Sequence, residues 1–200
     1  MVPRARAPSM SPYLIAGVLA GVAGLMTFLV IHHIWITPIW SILPAGLAGA
    51  VLGGLAVGWS YAELHSSLPH RPWAALALMG IIALILAPSI LLAQSRPPLL
   101  DVASFSIPPG TGAYAATRFL LELVLTSVLV GAAIGWLLGH TPRAALSTAI
   151  AGLAFALGPG HNIPLLGNTP SVGKGLVLLG AITLVSALVL VEAAEWLAHR

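Results

Sequence analysis

Imidazole and carboxylate side chains are sparse in this sequence, and where they gather they offer metal or proton chemistry at two levels. The first group is His32, His33, Glu122 and His161, with Asp101 as a secondary member. Imidazoles with one carboxylate suit a transition metal ion such as Co, Ni, Zn, Cu or Fe, and they lack the all-oxygen character that Mg or Ca prefers. On a helix His32 and His33 point about 100° apart, so one of them joins a given site while the other faces elsewhere. A competing reading needs no ligand: Arg118 precedes Glu122 by four residues, the spacing of an intrahelical ion pair.

The second group is Glu63, His65, His70, His140, Glu192, Glu195 and His199. Glu192, Glu195 and His199 follow i, i+3, i+7 spacing and share one helix face. Histidine beside carboxylates titrates near neutral pH and can bind metal or relay protons. The same residues also read as a solvated rim in which Glu195 and His199 merely pair. The zero cysteines remove thiolate metal sites, disulfides and cysteine nucleophiles. There is no glycine-rich phosphate loop, serine nucleophile elbow or His-Glu-x-x-His sequence. These absences lean against an enzyme and leave the question of catalysis open. An intramembrane metal-dependent or haem enzyme, with His32 or His33 as an axial ligand, stands as an alternative.

The elements that must position these residues are membrane spans. Of 200 residues 58% are hydrophobic and 6% are charged, against roughly 25% charged in a soluble domain. The eight Lys+Arg and five Asp+Glu lie almost wholly at the ends of apolar runs, as a bilayer requires. A pI near 10.0 comes from scattered basic residues that form no patch, which excludes nucleic acid as a partner. With about 20 apolar residues needed per helical span, the chain is expected to be an all-α, polytopic membrane bundle. Its six transmembrane helices fall near Tyr13 to Ile36, Pro44 to Leu64, Pro72 to Ala93, Ala115 to Leu138, Arg143 to Leu157 and Val172 to Leu197. The basic start before Tyr13 resembles a signal peptide. The apolar run that follows exceeds the roughly 7–15 residues of a cleaved signal and no A-x-A site closes it, so it reads as a retained first span.

Lys/Arg placement orients the bundle. An N-inside arrangement puts Arg4, Arg6, Arg71, Arg143 and Arg200 in the cytoplasm and Arg96, Arg118 and Lys174 outside, with both termini cytoplasmic in a cell (inner) membrane. Trp59, Tyr61, Trp73, Trp136 and Trp196 then mark one boundary, and Trp35, Trp40 and Tyr114 the other. The layer near mid-membrane carries Thr126, Ser127, Thr183 and Ser186 without a charge or a histidine, which argues against a proton pump.

Three small-residue spacings, Gly17-x-x-x-Gly21, Gly54-x-x-x-Gly58 and Gly131-x-x-x-Gly135, favour close helix approach. Two belong to a weak internal repeat. Gly54 to Trp59, His70-Arg71-Pro72-Trp73-Ala74-Ala75-Leu76 and Pro88 parallel Gly131 to Trp136, His140-Thr141-Pro142-Arg143-Ala144-Ala145-Leu146 and Pro159. Spans two and three would match spans four and five in the same orientation, a parallel duplication of a two-helix hairpin. Two extracytoplasmic loops rich in Pro and Gly, Gln94 to Gly112 and Gly158 to Gly175, are expected to pack across the outer mouth through Leu99, Leu100, Val102, Phe105, Leu165 and Leu166.

Ala87-Pro88 through Ser95-Arg96-Pro97-Pro98, then Thr117-Arg118 opening the next span, and Asn162-Ile163-Pro164 before the last, resemble the loop layout of a predicted cobalt-transporter family of bacterial polytopic membrane proteins. The likeness covers loops and topology. The family's acidic segment after the first span, and its aromatic, basic start to the last, are absent here. The resemblance implies a bacterial polytopic protein handling cobalt or cobalamin beside a small His-bearing membrane partner, with His161 and the loop prolines as candidates. The sequence thus points to a permease-like protein receiving a small cation, with a transition metal as the favoured kind, at an extracytoplasmic His/carboxylate site. The alternative is a non-catalytic accessory or scaffold component, whose partners are the lipid bilayer and other membrane subunits or copies of itself.

Overall fold

The computed structural model describes residues 10–35, 43–69, 73–95, 113–157 and 172–199. Among them lie six α-helices and no strand: α1 (Ser11–Trp35), α2 (Leu43–Leu64), α3 (Trp73–Ser95), α4 (Ala113–Gly139), α5 (Pro142–Leu157) and α6 (Val172–Ala198). One 3-10 turn, His65–Ser67, continues α2. Three of the helices are long and apolar enough to cross a membrane, over Ser11–Ile31, Gly46–Ser67 and Leu179–Ala198.

Helix limits follow local chemistry. Gln94 and Ser95, expected in a loop, form the last turn of α3. Likewise 172–175, assigned from sequence to the second loop as well as to the last span, belong to α6. The two loops otherwise lie outside the described residues, as does Ile36. Between α4 and α5 the chain reverses in two residues. His140 takes a left-handed φ of 50°, its N–H donates to the Trp136 carbonyl at 2.9 Å, and the Thr141 hydroxyl accepts the Ala144 N–H at 3.1 Å as an N-cap. Pro142 then fills the first helical position, where no N–H is needed. His140→Gly is expected to stabilise by about 1 kcal/mol, since glycine adopts this φ without a Cβ penalty. Thr141→Ala is expected to cost about 1 kcal/mol through the lost cap. Thermal unfolding of both variants reads the two signs.

Alanine takes a large share of the interior. Among the described residues, ten of the eighteen buried apolar side chains are alanine, Ala16, Ala20, Ala56, Ala74, Ala75, Ala144, Ala151, Ala156, Ala187 and Ala194, beside larger ones such as Tyr13, Leu64, Leu78, Ile85 and Leu190. Exposed side chains include large apolar ones, with Leu52, Leu129 and Leu137 each about two-thirds exposed at 67%, 66% and 68%. Several hydroxyls in the bundle are satisfied within their own helices: Ser60 donates to the Ala56 carbonyl, Ser147 and Thr148 to Ala144, Thr27 to Ala23 and Thr183 to Leu179, at 2.7–3.0 Å.

Two backbone-to-backbone crossings organise the bundle. In the first, α1 and α2 run antiparallel with Tyr13 against Gly58, Gly17 against Gly54 and Gly21 against Ala50. In the second, α4 and α5 run antiparallel with Ser127 against Gly152, Gly131 against Thr148 and Gly135 against Ala144. A Cβ on any of these glycines would meet a carbonyl oxygen of the facing helix, so only glycine permits the approach. Around the first crossing a core of Tyr13, Ala16, Ala20, Tyr61, Ala74, Ala75, Leu78, Ala187, Leu190, Val191 and Ala194 joins α1, α2, α3 and α6. A smaller contact of Ile82, Phe155 and Leu179 joins α3, α5 and α6.

The sequence-related helices α2 and α4 thus use their Gly-x-x-x-Gly-Trp segments alike but with different chain neighbours. α4 packs on the helix that follows it and α2 on the one that precedes it, while α2 and α3 make almost no contact among the described residues. The expected hairpin of spans two and three is not a packed pair, for a steric reason. In register with Ala144, Thr148 and Gly152 of α5, α3 carries Ala74, Leu78 and Ile82, and the last two are too bulky to lie on a glycine backbone. α1 supplies Gly17 and Gly21 instead.

At the second crossing Ser127 Oγ is buried with no hydrogen-bond partner among the described residues. An unpaired buried hydroxyl carries a desolvation cost of about 1–3 kcal/mol. Ser127→Ala is therefore expected to leave stability unchanged or raise it by up to about 1 kcal/mol, checked by thermal unfolding in detergent.

Candidate functional site

The Leu64 side chain lies 3.2 Å from a Cβ built on Gly139. That contact brings the ends of α2 and α4 together and, through the antiparallel crossings, the beginnings of α1 and α5 with them. The opposite end of the bundle therefore holds the last turn of α1, with His32 and His33, and the early turns of α4, with Arg118 and Glu122. The structure describes the backbone at these four positions. Glu122 stands nine residues into α4, about 13 Å along its axis, and His32 three residues from the end of α1. α1 is flanked by α2 and α6, whereas α4 lies against α5 and α3, so the two helices bearing the expected ligands are not packed neighbours. An ion held by His32 or His33 and Glu122 together would bridge separated helices. His161 and Asp101, the remaining members, lie outside the described residues.

At the end carrying the beginning of α1, the side chains are described. His65 sits in the 3-10 turn closing α2, its Nδ1 2.7 Å from the Ala62 carbonyl oxygen. A carbonyl only accepts, so Nδ1 is the donor in this contact. The imidazole lies 5.0 Å from the Tyr13 ring and 6.4 Å from that of Tyr61, and the two tyrosines meet edge to face at 5.9 Å. Both tyrosines are buried. Sequence reasoning missed this group. Its signal was present, because pairing Gly17 with Gly54 in an antiparallel crossing puts residue 13 beside residue 58 and the next turn of α2.

No family, curated protein or solved structure matches this chain. Its chemistry is read from its own residues alone.

The expected inner rim is spread over separate helices. Trp59 Nε1 donates to Glu63 Oε1 at 3.3 Å, an i, i+4 pair on α2. Glu192 and Glu195 occupy the last two turns of α6 and His199 the residue just after it; Glu192 and His199 are exposed and Glu195 is half-buried. His140 is exposed in the α4–α5 turn, and His70 lies outside the described residues. Among the described residues no three His, Asp or Glu side chains come together to hold a metal ion. Trp73, Trp136 and Trp196 are each more than half exposed, and with Trp59 they sit at the ends of four helices on this same side of the bundle. Tryptophan, with an apolar body and one N–H, favours the boundary between hydrocarbon and headgroup.

Proposed function

We propose that this chain is a six-span integral membrane protein of permease type that receives a small cation, a transition metal, at the end of the bundle where α1 finishes and α4 begins. The observation that carries the membrane part is the run of large apolar side chains left exposed, Leu52, Leu129 and Leu137 among them, around helix crossings made by glycine and alanine. In water such a surface would be an aggregation hazard, whereas in lipid small residues bring helices together and large apolar ones meet acyl chains. The exposed tryptophans at one end support an interfacial plane there, and the Lys/Arg distribution makes it the cytoplasmic one. α3 and α4, at 23 and 27 residues, reach about 34 and 40 Å, enough for a core about 30 Å thick. α5, with 16 residues, reaches about 24 Å and leaves the outer layer above it to other segments.

The cation reading rests on His32, His33 and Glu122 sharing the opposite end, with His161 added from the sequence alone. A carboxylate at this depth must pair, protonate or meet a cation. Protein extracted from membranes and purified in detergent is expected to retain a transition metal near one equivalent, measured by elemental analysis, and to lose it in Glu122→Gln or His161→Ala. Metal at background in the unaltered protein overturns the reading.

The second reading, an accessory component of a larger membrane complex, draws on the open face of α2. Gly49 and Gly53, one turn apart, would each carry a Cβ with no atom of the described residues within 4 Å, beside Leu52 and Val51, which are exposed. A helix face of this kind suits another helix as well as it suits lipid.

A further inference from the structure

No further inference is drawn: the strongest candidate, the groove that Leu14, Ile15, Val18 and Leu19 of α1 form with Leu55 of α2, is lined by apolar side chains alone and nothing in the structure shows what covers it.

Discussion

Gly17→Leu is expected to destabilise the protein by about 3 kcal/mol or more, while Gly49→Leu on the neighbouring helix changes stability by about 0.5 kcal/mol or less. A Cβ at position 17 would meet the Gly54 carbonyl oxygen and come within 2.7 Å of the Gly58 Cα. Those atoms belong to a helix backbone, which cannot rotate aside as a side chain can. The only relief is to part α1 from α2, and Tyr13, Ala16 and Ala20 then withdraw from the core they share with Tyr61, Leu78 and Leu190. Because the clash begins at Cβ, Gly17→Ala is expected to fall on the same side as leucine. At Gly49 the space is open, and replacing glycine within a helix gains back up to about 1 kcal/mol of propensity. Thermal unfolding in detergent, followed by helical circular dichroism, compares the three variants. Equal transition temperatures for Gly17→Leu and Gly49→Leu would sink the crossing as the element that holds α1.

The helices themselves were legible from apolar run length and punctuation. Pro142 marks the start of α5, and at the helix ends with described residues on both sides, Ser11, Leu64, Gly139, Pro142 and Ala198, the sequence-based limits differ by at most two residues. Which helix touches which was not legible. Gly17, Gly54 and Gly131 announce that something approaches closely, but a Gly-x-x-x-Gly pattern does not say what. The choice rests on the volumes offered by the other face. Sequence order favoured α3 as the partner of α2, and Leu78 and Ile82 forbid it.

The candidate site suffers from the same gap. Residue type marked His32, His33 and Glu122 as ligands, and run length set each near one end of its span. Whether such groups converge depends on helix adjacency. The bundle sets α1 between α2 and α6, away from α4, and no property of His32 or Glu122 alone encodes that. The Tyr13–Tyr61–His65 cluster is the converse case. His65 and Tyr61 stood out for other reasons, one as a histidine near carboxylates and the other as a boundary aromatic, and the antiparallel register of two glycine motifs is what brings them to Tyr13.

The second large effect tests that account of partner choice directly, by giving α5 the face of α3. In Thr148→Leu/Gly152→Ile, the positions in register with Leu78 and Ile82 take those residues. A Cβ at Gly152 would already meet the Ser127 carbonyl oxygen and lie 2.9 Å from its carbon, and Thr148 packs against Gly131 and Gly135. The double variant is expected to lose at least about 3 kcal/mol, because two branched side chains must enter a space bounded by backbone. Loss of the Thr148 hydroxyl alone is a smaller matter. Thr148→Val keeps the shape and forgoes the 2.7 Å bond to the Ala144 carbonyl, which costs about 1 kcal/mol or less. The reciprocal change, Leu78→Thr/Ile82→Gly, is not expected to draw α3 onto α2, since α1 already occupies Gly54 and Gly58. It should instead cost about 2–5 kcal/mol through the cavities left beside α6. A double variant of α5 that unfolds within about 1 kcal/mol of the parent protein would mean that shape at the crossing does not select the partner. Chain order would then have to explain why α4 takes the helix after it and α2 the helix before.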